Sequence, residues 1–156
     1  MNIVLCRIDE RLVHGQVMTS WTKQLQIKRI IVVDDDIAKD EFTSLVLTMA
    51  APSGVDVIVK TVNQTFEMIN NDTSSVKTML LFKTIKYAKN LFDTGVDIKS
   101  LNIGNTGSAP NRTELTRRVF MSAEEIAIAK ELSSRGIDVY LQMLHTDSKI
   151  NIKQLI

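Results

Sequence analysis

Short apolar, β-branched runs alternate along this chain with segments whose apolar residues recur at helical spacing. That alternation predicts an α/β fold: an open, mostly parallel twisted sheet with helices on both faces. A first strand is expected over Asn2 to Arg7, followed by a helix from about Gly15 to Leu25 with Val17, Trp21 and Leu25 on one face. At that spacing Trp21 reads as a core residue. Arg29 to Val33 forms the second strand. Asp34-Asp35-Asp36 then caps the next helix, because carboxylates suit a helix's positive end. These acids could instead hold a divalent cation, but further ligands are not visible nearby, so no metal site is assigned.

A helix is expected from about Ala38 to Ala51, with Phe42, Leu45, Val46 and Met49 at core spacing and Pro52 and Gly54 ending it. Val55 to Lys60 and Lys77 to Phe82 read as strands, separated by a short helix centred on Thr65 to Asn70 and a polar loop. A helix of about Ile85 to Phe92 follows. Leu101 to Ile103 is a buried-looking strand that breaks into the loop Gly104 to Arg112, and Arg117 to Phe120 forms a short strand. Ser122 with Glu125 marks a capping box for a helix whose apolar face carries Ile126, Ala129 and Leu132 and which stops at Gly136. Ile137 to Leu141 is the last strand, and a polar tail runs to Ile156.

The 156 residues form one domain, 1–156, with 44% hydrophobic and 24% charged residues, as in an ordinary globular protein. A net charge of +1 and 5% aromatic residues give no field or stacking surface for nucleic acid. Any anion site must be local. The single cysteine, Cys6, excludes an internal disulfide and reads as a small core residue. No signal-type stretch or run of about 20 apolar residues occurs, so a cytoplasmic location is expected.

Candidate chemistry concentrates in Arg7-Ile8-Asp9-Glu10-Arg11-Leu12-Val13-His14-Gly15-Gln16-Val17. His14 falls where a strand hands over to a helix, and unpaired N–H groups at a helix start favour an anion such as a phosphoryl group. Gly15 allows close approach of the main chain, Arg11 offers a fork of donors to phosphate oxygens, and Asp9 can fix a neighbouring Arg or an imidazole N–H. Arg7 can serve as a structural partner of Asp9. Lys83 and Thr84, just past a strand end, are further candidates for phosphate contact, or alternatively a solvated lysine and a helix cap. The loop after Leu101–Ile103 has glycines that can turn backbone N–H groups toward a phosphate, and it adds Arg112. His145 lacks charged company and reads as structural or exposed.

Arg7 to Val17 followed by Trp21-Thr22-Lys23 resembles the active-site signature of the IIB component in the mannose/sorbose class of the phosphoenolpyruvate-dependent sugar phosphotransferase system. Ile30 to Asp34, Leu80 to Phe82, Gly95 to Ile98, Leu101 to Asn105 and Ser134 to Ile137 agree with it in order. The resemblance implies that His14 takes a phosphoryl group, on Nδ1, from the phosphohistidine of a IIA phosphocarrier and passes it to a hexose-type sugar entering through membrane components IIC and IID. It implies a cytoplasmic protein held peripherally at the membrane by IIC and IID. Asn105 and Thr106 would be rim residues, although the sequence after Gly104 departs from the commoner family pattern. The expected roles are His14 as nucleophile, Arg11 as charge stabiliser, Gly15 and Gln16 as backbone donors and Asp9 as orienter. No cofactor is needed for this scheme. One histidine meeting two partners in turn implies an open, shallow site, with Leu12 and Val13 supplying an apolar docking rim.

Two alternatives follow from the same residues. Val13-His14-Gly15 is similar to the Arg-His-Gly core of phosphohistidine-type phosphatases, but Val13 replaces the arginine and only His145 can supply a second histidine. A non-catalytic phosphate-binding domain using the strand-end loops is the other.

Overall fold

Within the first strand, apolar and charged positions share a single run. The computed structural model describes residues 1–156, and in it β1 (Asn2–Asp9) extends two residues beyond the expected end, to Asp9. Cys6 and Ile8 point to one side of the sheet and Leu5 to the other, as the two-residue period of a strand requires. The strand is central in a seven-stranded sheet.

The remaining strands are β2 (Arg29–Val33), β3 (Asp56–Lys60), β4 (Lys77–Phe82), β5 (Ser100–Asn105), β8 (Asp138–Leu141) and β9 (Ile150–Asn151), in the order β3-β2-β4-β1-β5-β8-β9. All pairs are parallel except β8 with the short edge strand β9. The fold is therefore the expected one. The tail after β8 is more ordered than its polarity suggests: it adds β9 and a 3-10 turn over Ile152–Gln154 that buries Ile152.

Connections fix the two faces. From β1 the chain runs through α1 (Gly15–Gln24), α2 (Asp35–Ala38) and α3 (Glu41–Met49) toward the β3 edge; Met18 and Trp21 of α1 and Leu47 of α3 pack with Leu5, Ile30, Val32, Met79 and Leu81. It then returns through α4 (Val62–Asn71), α5 (Ile85–Phe92) and α6 (Ala123–Ser134) on the other face, over Cys6, Ile8, Leu80, Phe82 and Ile103. The direction of winding reverses about β1. An open sheet presents ligand groups beyond the carboxyl ends of its strands at such a reversal.

Local capping explains most boundaries. Asp34 accepts from the Ile37 N–H at 2.8 Å, the expected cap, and Ser122 and Glu125 form the expected capping box on α6. Three expectations are corrected. The single helix over Ala38 to Ala51 is instead two pieces, because Asp40 starts a new helix by accepting from Thr43 N–H at 3.1 Å. Phe42, Leu45, Val46 and Met49 do share one face of α3, but that face lies in solvent. The short strand at Arg117 to Phe120 is one arm of a hairpin, β6 (Arg112–Thr116) and β7 (Val119–Ser122), with Arg117 and Arg118 in its turn.

Candidate functional site

The loop leaving β1 is folded tightly onto its own last residue. Asp9 accepts from the Arg11 N–H through Oδ1 at 3.0 Å, and its carbonyl accepts from the Leu12 N–H at 2.9 Å. Leu12 sits at φ 56°, a left-handed conformation that costs a side-chain-bearing residue about 1–3 kcal/mol. Burial of its side chain holds it there. Leu12 and Val13 are both 5% exposed and pack beside Met18 and Trp21, so neither forms the apolar docking rim expected of them. Anchored inward, they push the next residue outward.

That residue is His14, half-buried, with extended backbone at the N-cap of α1. Its side chain makes no cap bond, and Gly15 and Gln16 open the helix in exposed positions. Gly15 has φ +43°, which favours glycine. His14 Nδ1 lies 2.8 Å from the Leu12 carbonyl; a carbonyl only accepts, so Nδ1 carries the proton. The lone pair of the neutral ring is then on Nε2, which is covered and has no hydrogen-bond partner. In this geometry neither ring nitrogen is free to meet a reactant.

Beneath the loop is a buried polar foundation. Arg7, on β1, is fully enclosed: Nη1 donates to Asn102 Oδ1 at 2.5 Å and to the Gln142 carbonyl at 3.0 Å, and Nη2 donates to Asp9 Oδ2 at 3.2 Å. The guanidinium lies 5.4 Å from the centre of the Trp21 ring. Burial pulls its pKa down, and the adjacent Asp9 charge opposes that. Gly104 on β5 leaves the room: a Cβ there would overlap the guanidinium carbon and both terminal nitrogens. Asp9 therefore organises Arg7 and the Arg11 backbone, and has no hydrogen bond to the His14 ring. Asn102, Gly104 and Gln142 are functional supports that the sequence reading missed. The available signals were a glycine inside a strand and an asparagine in an apolar run.

Around this ring the strand-end groups divide into free and committed. Arg11 faces Asp9 at 3.6 Å through Nε and is 41% exposed. Lys83 is exposed and makes no ion pair, and the Thr84 hydroxyl makes no cap bond although Thr84 is the N-cap of α5. Because β4 pairs with β1, with Phe82 opposite Ile8, Lys83 and Thr84 follow the strand next to the His14 loop. Arg112, by contrast, is committed. It forms a two-bond fork with Glu125 at 2.9 and 3.1 Å, and it also reaches Glu10 Oε1 at 2.5 Å. The Gly107 N–H donates to Glu10 Oε2 at 2.7 Å rather than pointing at a ligand. Thr106 is pinned to Phe120 by two hydrogen bonds, and Asn105 gives its carbonyl to the Glu10 N–H. The loop after β5 thus braces the His14 loop through Glu10, and Arg112, whose role the sequence left open, is held in ion pairs with Glu10 and Glu125.

The second histidine is not in the site. His145 Nδ1 lies 3.0 Å from Ser20 Oγ and its ring meets the Trp21 edge at 6.0 Å. Cys6 is buried as expected, and desolvation pushes its thiol up to about 12. In the folded protein Cys6 is therefore expected to resist alkylation at pH 8 and to react fully in denaturant, which mass spectrometry of iodoacetamide-treated samples will read; rapid native labelling would contradict the burial. The same shift has a sign for stability. The thiol form is kept in the fold, so this contribution is intact below the ordinary pKa of 9.0 and is lost progressively as pH climbs toward 12.

A half-buried imidazole, an exposed guanidinium, an exposed ammonium and an uncapped helix start thus follow the ends of neighbouring strands, and each is a group able to donate to a phosphoryl oxygen. No helix is long and apolar enough to cross a membrane. The sequence family described as PTS system sorbose subfamily IIB component matches residues 3–156. The chain is 37% identical over its full length to the PTS system mannose-specific EIIAB component of Escherichia coli, of which it covers 49%; it thus spans about half of that relative. It is 34% identical to the PTS system fructose-specific EIIB component of Bacillus subtilis, covering all of the chain and 96% of the relative. Its structure superposes on the crystal structure of the IIB domain of the sorbose permease from Klebsiella pneumoniae with a TM-score of 0.92 at 34% identity, covering 99% of this chain and 95% of that one. The chain accordingly belongs to the sorbose subfamily of PTS system IIB components.

Proposed function

We propose that this chain is a phosphoryl relay. His14 accepts a phosphoryl group from the phosphohistidine of a IIA phosphocarrier and delivers it to a hexose-type sugar in transit through membrane components IIC and IID. The observation that carries the reading is the place of the ring: half-buried at the surface end of the first loop, at the start of α1, where the winding of the sheet reverses. In the first step the ring's lone pair forms an N–P bond while the N–P bond of the donor histidine breaks. In the second the sugar hydroxyl oxygen forms an O–P bond as the His14 N–P bond breaks, and the hydroxyl proton ends on the freed imidazole. The transition state is loose and its charge is spread over three oxygens, so the protein's task is to position and neutralise. Arg11 supplies mobile positive charge, the N–H groups of Gly15 and Gln16 supply fixed donors, and Lys83 and Thr84 complete the phosphate rim. Asp9 acts from below by holding Arg7 and the Arg11 backbone.

Resting geometry protects this nucleophile. With Nδ1 held by the Leu12 carbonyl and Nε2 covered, the ring rotates outward when a donor docks, whichever nitrogen takes the group. Of the relatives, the Escherichia coli protein is named an EIIAB component and extends beyond the matched half, which supports a IIA donor. Such a chain works at the cytoplasmic side of the membrane, held there by IIC and IID.

Incubation with phosphoenolpyruvate, the general phosphocarriers and the cognate IIA tests the reading. The expected product is one acid-labile phosphoryl group per chain, seen by intact mass at neutral pH and lost at low pH. Rapid release of inorganic phosphate would replace the relay with a phosphatase. Absence of any label would leave a binding domain.

A further inference from the structure

Helix α3 buries little and exposes much. Its sheet-facing positions are Thr43, Ser44 and Leu47, of which only Leu47 is fully buried, and Ser44 spends its hydroxyl on the Ile37 carbonyl at 2.8 Å. Facing solvent are Phe42, 76% exposed, Leu45, 57%, Val46, 48%, and Met49, 76%. Their spacing of i, i+3, i+4 and i+7 makes one continuous stripe. No charged residue occurs between Glu41 and Asp56 to break it. Scattered exposed apolar residues need no explanation, but a contiguous patch of large side chains marks an interface.

We propose that this stripe is a self-association face, covered by α3 of a second copy running antiparallel about a two-fold axis. The positions are self-complementary. An axis passing between Leu45 and Val46 brings Phe42 against Met49 of the partner and Leu45 against Val46 of the partner, so every large residue meets another, as an isologous contact requires. Antiparallel helices also oppose their dipoles. In this arrangement the charged start of one helix, Lys39-Asp40-Glu41, lies beside the uncharged end of the other at Ala50-Ala51, so like charges do not meet. An anionic lipid surface fits less well, since the approach to the helix carries Asp34, Asp35, Asp36, Asp40 and Glu41 against the single base Lys39.

Area bounds the size of the contact. At roughly 150–200 Å² per side chain, the stripe leaves about 450 Å² in water on each chain. Pairing two stripes withdraws roughly 900 Å², which the polar flanks raise toward the ~1,200 Å² at the lower end of specific interfaces. The contact is therefore at or below the small end of specific interfaces, and the dimer is weak.

Sedimentation velocity of the intact chain over about two decades of concentration, up to about 500 μM, should show monomer converting to dimer. L45E should hold the chain monomeric throughout with unchanged circular dichroism. The double substitution L45E/V46K should restore dimer, because antiparallel register places each new carboxylate opposite the partner's new ammonium. Register is read independently by cysteine pairing: F42C mixed with M49C should form a disulfide readily while F42C alone should not, with Cys6 too buried to compete. A chain that stays monomeric at the highest concentration, a dimer that survives L45E, or faster cross-linking of F42C with itself would each overturn the proposal. The phosphoryl relay stands or falls separately, because none of these readouts uses it.

Discussion

His14→Ala is expected to abolish acid-labile labelling, lowering the rate of transfer from phosphorylated IIA by a factor of roughly 10⁴ or more, as deletion of a covalent nucleophile does. The fold should survive, since the ring is half-buried and its one hydrogen bond goes to the Leu12 carbonyl of the same loop. Near-native circular dichroism with no mass increment is the paired result to look for. His145→Ala is the internal control. That ring bonds Ser20 and abuts Trp21, so its loss should cost about 1 kcal/mol of stability and leave transfer within a few-fold of the parent. Labelling that persists without His14 but disappears without His145 would move the site to the other end of α1.

Gly104→Ala should damage the protein without touching any group that meets phosphate. The added methyl group would occupy the space of the Arg7 guanidinium, so either β5 shifts away from β1 or the cation leaves Asn102, the Gln142 carbonyl and Asp9. Breaking a buried pair leaves an uncompensated charge and typically costs about 3–5 kcal/mol. Urea unfolding is expected to show a loss of that size at unchanged slope. Because the clash involves one partner, R7M/G104A should be less unstable than the sum of its single changes. A midpoint equal to that of the parent would show that the glycine does not serve the guanidinium.

How much of this was legible beforehand depended on what periodicity can carry. Strands β2 and β4 and helix α5 have the expected limits, because Ile30–Val33 and Met79–Phe82 are apolar throughout and polar residues bound each run. Cap chemistry was legible for Asp34 and Ser122 by the same local logic. For α3 the spacing correctly grouped Phe42, Leu45, Val46 and Met49 on one side, but a period specifies a face and not what covers it. Around His14 the chemistry-bearing types were visible in order. Which of them would be consumed by neighbours was not: Arg112 sits 102 residues from Glu10 and 13 from Glu125, and only the folded chain brings the three together. Leu12 and Val13 show the same limit, since their burial follows from a left-handed turn that no local pattern announces.

The brace through Glu10 has a mechanical consequence. Both oxygens of that one carboxylate fasten the turn ahead of His14, to Gly107 and to Arg112, and Arg112 is itself forked onto the start of α6. Displacing the turn as a whole would mean separating the Glu10–Arg112 ion pair and the Glu10–Gly107 hydrogen bond at once, whereas rotating a single imidazole breaks one hydrogen bond. Successive visitors therefore meet a stiff jaw with one moving tooth, and the cost of handing cargo from one to the next is confined to a side-chain torsion.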